Sequence, residues 1–392
     1  MIATPPTTAN RSHWQPPPAT TWQPTAQHLL LLQAIFAEDA AAIAAWRTWV
    51  EQIDIEQLDE GSYWLLPRLY KRWQDGLPHR KDETQAIWQR IKGVYRHVWS
   101  RNQLILWSLG EAVQSLQAAQ IPVVVMGGAA LVATPDADIG SRRADDSGLW
   151  VPESSLGNAL GQLRDLGWQP TRPLSPEQLR SQQTAVGLRR HSDTLTLCWW
   201  PLPECPALGR AGEVNNGGLP VQLANTEAIA LNPTDQCFLC CIQATRWQPG
   251  SPVYWLADAV DLLQRYPIQG DRLVQLAQTH QLVLPLKSSL MQIAPLVGSH
   301  EVETILDRLK ALPVSPFERA EFAVKGQANK WGQLPTQWFE YRRLYPQFAG
   351  PQRAWNFGPF LARRWGLKSA WQIPLHIFQR GVQRLSKPKL NP

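Results

Sequence analysis

The chain has 392 residues, 44% hydrophobic and 18% charged, with a formal net charge of +6. This is the composition of an ordinary globular protein, and the length leaves room for two or three compact domains. No stretch approaches the roughly 18 consecutive apolar residues of a membrane-spanning helix. The segment Met1-Ile2-Ala3-Thr4-Pro5-Pro6 lacks a basic region leading into an apolar core, so the expected location is the cytoplasm with no membrane span.

In chain order, residues 1–25 hold six prolines and little aliphatic material, which predicts a disordered tail. From His28 to Trp49 the leucine- and alanine-rich run predicts helix. Asp59 is placed at the start of the next helix, with Trp64, Leu65, Leu66, Leu69 and Tyr70 on its apolar face and Pro67 near its beginning. A further helix is predicted over about Glu83 to Val98, and another over Asn102 to Gln117. In the latter, Leu106, Leu109, Val113 and Leu116 recur at steps of three and four.

The period then changes. Ile121-Pro122-Val123-Val124-Val125-Met126 is β-branched without polar alternation, the pattern of a strand covered on both faces, and it stops at Gly127-Gly128. A second strand is predicted around Leu149-Trp150-Val151, a helix from Leu156 to Leu166 ending at Gly167, and a third strand over Thr194 to Trp199. Helices return over Asp235–Thr245, Tyr254–Tyr266, Asp271–Gln278 and Val302–Leu312, with short ones near Gln337–Leu344 and Leu375–Leu385. The expected organisation is a helical region over 26–100, an α/β core over 101–225, a helical region over 226–312 and a basic, Trp-rich region over 313–392.

The charge is uneven. From Phe317 to Pro392 there are 13 Lys or Arg against 3 acids, so the basicity belongs to the C-terminal part. Such a segment suits nucleic acid or another polyanion, although a solvated basic face is the commoner case. The five cysteines include Cys237-Phe238-Leu239-Cys240-Cys241, too closely packed for a disulfide framework. They are expected as reduced core residues rather than zinc ligands.

The order helix, Val123-Val124-Val125-Met126-Gly127-Gly128-Ala129-Ala130-Leu131, Asp138-x-Gly140-x-Arg142, then Asp146 before Leu149-Trp150-Val151 resembles the uncharacterised nucleotidyltransferase-like family of the DNA polymerase β superfamily. Outside the core, Tyr63-Trp64-Leu65-Leu66-Pro67-Arg68-Leu69-Tyr70 and Val253-Tyr254-Trp255-Leu256-Ala257-Asp258 resemble that family's flanking helical motifs. The resemblance implies an α+β fold, a small mixed β-sheet nucleotidyltransferase-type core with helical flanks on both sides. It also implies Mg²⁺ and an NTP as cofactor and substrate. Two carboxylates at i and i+2 of one strand share a face, so with a third from a neighbouring strand they hold two metal ions. Paired glycines let backbone N–H groups approach the triphosphate.

This sequence departs from that pattern. The first metal-binding Asp falls on Asp146, but the second position is Gly148, and the third-strand Asp-x-His falls on Thr196 and Cys198. The Lys before the turn falls on Gly127. Asp146 is therefore the candidate catalytic and metal-binding residue. Asp145 faces the other side of a strand, and Asp136-Ala137-Asp138, the one i, i+2 pair nearby, reads as loop. Gly127, Gly128 and Arg142 are the candidate nucleotide contacts, with a structural ion pair as the alternative for Arg142.

The expected function is thus a nucleotidyltransferase-fold protein, weakly active or inactive, that binds a nucleotide or a protein partner. One alternative is an active Mg²⁺-dependent nucleotidyltransferase that moves an NMP from an NTP to an acceptor, with Asp136, Asp138, Asp145 or Asp146 as metal ligands in unexpected roles. The other is a scaffold or nucleic-acid-binding protein acting through the basic C-terminal region.

Overall fold

A computed structural model of the protein describes residues 24–75, 82–171, 184–202, 204–205, 217–245, 253–326 and 334–385. The predicted N-terminal tail lies outside the described residues except for its last two positions. The chain forms two compact units, Met1–Tyr95 with Thr234–Lys330 and Arg96–Pro233 with Trp331–Pro392. Among the described residues no helix is long and apolar enough to cross a membrane.

The first unit is helical. Where one helix was expected from His28, two form, Ala26–Phe36 and Asp39–Gln52. Asp59 caps the helix Glu60–Trp73, accepting from the N–H groups of Gly61 and Ser62 at 2.8 and 3.1 Å. Because that helix begins at Glu60, Pro67 sits in its interior and not near its start. The helices Pro233–Ala244, Val253–Arg265, Gly270–Thr279 and His300–Ala311 lie where periodicity put them. Two more, Val283–Val297 and Pro316–Gly326, were not anticipated; Pro285 and Pro295 mask the first. Cys237, Cys240 and Cys241 are buried in the core, and none of the five cysteines is in a disulfide.

The second unit holds a seven-stranded mixed sheet, in keeping with the α+β expectation. Its strands are β1 (Val124–Met126), β2 (Gly148–Trp150), β3 (Gln169–Pro170), β4 (Ala185–Arg190), β5 (Asp193–Cys198), β6 (Leu219–Leu223) and β7 (Thr226–Ala230), in spatial order β3-β4-β5-β2-β1-β7-β6. The central pairings are β1 antiparallel to β2 and β2 parallel to β5. Two hairpins widen the sheet, β4–β5 and β6–β7, each turning through a residue with positive φ, His191 (53°) and Ala224 (49°).

A single helix, Asp82–Ala118, replaces the two predicted on either side of residue 100. No glycine or proline interrupts it there, and it runs about 55 Å at 1.5 Å per residue. Its Leu106, Leu109, Val113 and Leu116 pack with Val125, Leu149, Leu197 and Val186 from one face of the sheet, joined by Leu156, Ala159 and Leu163 of the helix Leu156–Asp165. Strand alternation therefore sends the other residues of the central strands to the opposite face: Val124, Trp150 and Cys198 in one row, and Met126, Gly148 and Thr196 in the next. The unit's C-terminal part consists of the helices Leu334–Leu344, Gly350–Arg364 and Ile373–Leu385, the second of which was not anticipated.

Candidate functional site

β1 ends at Gly127 because the chain turns there with φ 68° and ψ −146°, a conformation open to glycine alone. A Cβ on Gly127 would run into the Asp146 carbonyl oxygen. At Gly128 a Cβ would meet the Arg142 guanidinium, the Arg143 carbonyl and the Asp146 carboxylate, so the loop 142–146 lies directly on the turn. The turn leads into the five-residue helix Gly128–Val132.

The loop is held from below by Asn102 of the long helix. Its side-chain amide donates to the carbonyls of Ile139 and Arg142, both at 2.6 Å, and its carbonyl accepts from the Ala144 N–H at 3.0 Å. Ser147 fastens the other side: its hydroxyl accepts from the Ala129 N–H at 2.8 Å and donates to the Ala144 carbonyl. Neither residue was singled out from the sequence. Asn102 carried a signal, since it shares the buried stripe of Leu106 and Leu109 and is itself 1% exposed. A polar side chain so placed needs partners.

The candidate contacts meet at Asp146, but they meet one another. Arg142 grips both carboxylate oxygens, Nη1 on Oδ1 and Nη2 on Oδ2, the latter at 2.7 Å. The Gly128 N–H donates to the same Oδ1 at 3.2 Å. Arg142 is buried, and its Nη1 also donates to the Arg143 carbonyl. An internal carboxylate thus occupies the Gly128 N–H of the diglycine turn, and the Arg142 charge is bound to that of Asp146.

Beside this pair the two positions at which the resemblance implies further carboxylates are Cα partners across β2 and β5. They are Gly148 and Thr196. Between them there is little room: a Cβ on Gly148 would lie 3.0 Å from the Thr196 carbonyl oxygen. Cys198, at the implied His position, has its Sγ 3.6 Å from Met126 Sδ, and burial pushes its thiol up to about 12, so it stays protonated at neutral pH. One carboxylate committed to an arginine, a hydroxyl, a protonated thiol and a thioether do not fit Mg²⁺, which demands near-octahedral hard oxygen ligands.

Asp138, Asp145 and Asp193 are engaged elsewhere. Asp145 pairs with Arg143 at 2.7 Å and with Arg101 at 3.6 Å. Arg101 also holds Asp193 at 3.1 Å, and Asp193 accepts from the Ser108 hydroxyl, which puts it toward the long helix with the core-facing Leu195 and Leu197. Asp136 and Asp138 stand in turns after the helix Gly128–Val132, where Asp138 accepts from the Gly140 N–H at 2.9 Å. Among the described residues no group of three or more His, Cys, Asp or Glu side chains is placed to hold a metal ion.

In the helical unit, the two flanking motifs meet through an ion pair between Arg68 and Asp258, both buried. Each is a charge that could not stand in that core without the other.

The model for a family described as uncharacterised nucleotidyltransferase matches residues 65–298. The matched span takes in Arg68, the diglycine turn, Asp146, Thr196 and Asp258. A comparison with curated proteins finds no match.

Proposed function

We propose, from the premise that the chain belongs to the uncharacterised nucleotidyltransferase family, that it works as a binding module on this fold and does not carry out metal-dependent nucleotidyl transfer. The observation that carries the reading is the bidentate hold of Arg142 on Asp146, next to the neutral pair Gly148 and Thr196. A divalent ion entering here would have to take Asp146 from a guanidinium and would find no second carboxylate. Asp138 and Asp145 lend no support to an active site assembled in another way, since they are bound in a turn and in an arginine pair, and Asp136 stands exposed in a turn.

The bound species is a nucleotide or a protein partner. A nucleotide phosphate reaching the diglycine turn competes with Asp146 for the Gly128 N–H and for Arg142, so its binding is weak and independent of divalent metal. The test is transfer of label from α-labelled NTPs to any acceptor in a cell lysate, with Mg²⁺ or Mn²⁺ and the full chain. No incorporation above a blank is expected. Incorporation that disappears in Asp146→Asn would overturn the reading.

A further inference from the structure

Residues 334–385 contain eight Lys or Arg against one acid, Glu340, a net charge of +7. Their three helices close around a small aromatic core of their own, with Tyr341, Phe360 and Leu361 buried and Phe357 and Trp365 packed against them. The last helix, Ile373–Leu385, gives this core one face: Ile373 packs on it, and His376 stacks on Trp365 with ring centroids 5.3 Å apart.

The helix has a second apolar face that nothing in the described chain covers. Trp371, in the turn leading into the helix, is followed by Leu375 and Phe378 at i+4 and i+7, one stripe along the surface. They are 73%, 55% and 69% exposed. Trp355 is 80% exposed and lies one turn before Gly358, where a Cβ would stand 3.5 Å from Ala370, the neighbour of Trp371. Large apolar side chains grouped in water in this way mark a surface that meets something.

The charge decides what it meets. A second copy would bring another segment of net charge +7 against this one and be repelled. Nucleic acid offers phosphates to the arginines and bases to Trp371 and Phe378, but it offers Leu375, between them, no apolar partner. An anionic bilayer satisfies every group: its headgroups attract the basic residues, its interface takes tryptophan rings, and its acyl boundary takes Leu375 and Phe378.

We propose that the helix Ile373–Leu385 lies in the plane of an anionic lipid surface, with Trp371, Leu375 and Phe378 inserted and Trp355 beside them. Attachment is peripheral and reversible, and it does not depend on how the diglycine site works.

The experiment is flotation of the full chain with vesicles of phosphatidylcholine alone or of phosphatidylcholine and phosphatidylglycerol in equal parts. Binding to the anionic vesicles only is expected, reduced by high salt. The double variant Trp371→Ser, Phe378→Ser removes exposed side chains, so its circular dichroism melt should match the parent. Its partition should fall on the order of 100-fold, about tenfold for each side chain. Unchanged partition of the folded double variant overturns the proposal, as does equal binding to neutral vesicles. Binding of single-stranded DNA without vesicle binding would assign the face to nucleic acid. A dimer in sedimentation that the double variant breaks would assign it to self-association.

Discussion

The side chain of Arg142 is 4% exposed and that of Asp146 27%, and this inequality decides which of the two tolerates losing its partner. Asp146→Ala leaves a buried guanidinium without its carboxylate and should cost on the order of 3 kcal/mol of stability. Arg142→Ala leaves a carboxylate that water can reach and that still accepts from Gly128, so its cost should be smaller. Urea unfolding midpoints of the two variants check the order; a larger loss for Arg142→Ala would mean that its stem, and not its charge, is what the loop needs. That Gly128, Arg142 and Asp146 gather at one turn was legible in the sequence, because a diglycine turn, an arginine and an aspartate stand there at short spacing. Their mutual engagement was not, because spacing along a loop does not say which groups close on one another. Asn102 and Ser147 escaped for the same reason: their partners are backbone groups some 40 and 18 residues away.

At the scale of elements, the strands that were read are the central ones, β1, β2 and β5, where β-branched and aromatic residues run together. The strands that were missed lie outside these three, as with Leu219-Pro220-Val221-Gln222-Leu223, where a proline and a glutamine interrupt the apolar set. The long helix was divided because its apolar stripe weakens near residue 100, although every residue there is compatible with helix. Its two glycines make a test of what it packs on. Gly110 approaches the hairpin between β6 and β7 so closely that a Cβ would lie 2.7 Å from the Leu223 carbonyl oxygen, whereas a Cβ on Gly93 would meet nothing within 4 Å. Gly93→Ala should therefore stabilise the protein by up to about 1 kcal/mol, and Gly110→Ala should destabilise it by more than that. Thermal melts of the two variants should move in opposite directions; movement in the same direction would place the hairpin farther from the helix than the structure has it.

At the scale of the whole molecule, each compact unit is assembled from two separated stretches of chain. In the helical unit the Arg68–Asp258 pair joins residues 190 positions apart, so neither stretch is electrically complete without the other. A linear reading sees two motifs there and not their contact. The proposed absence of metal-dependent chemistry also has a global readout, since a ligand that binds the native state raises its melting temperature by mass action. The midpoint should be the same in EDTA and in millimolar Mg²⁺, and any rise that ATP brings should be the same with and without the metal. A rise that needs metal and nucleotide together would contradict the reading as firmly as turnover would.

The contact of Gly148 with Thr196 bears on the history of such a site. A lineage that lost its acids and kept the surrounding space could regain them one substitution at a time. Here an aspartate at 148 would press its Cβ against the Thr196 backbone, and freeing Asp146 would leave the buried Arg142 charge without its carboxylate. A carboxylate at 148 therefore needs the β5 backbone to give way, and a free Asp146 needs a new counter-charge for Arg142.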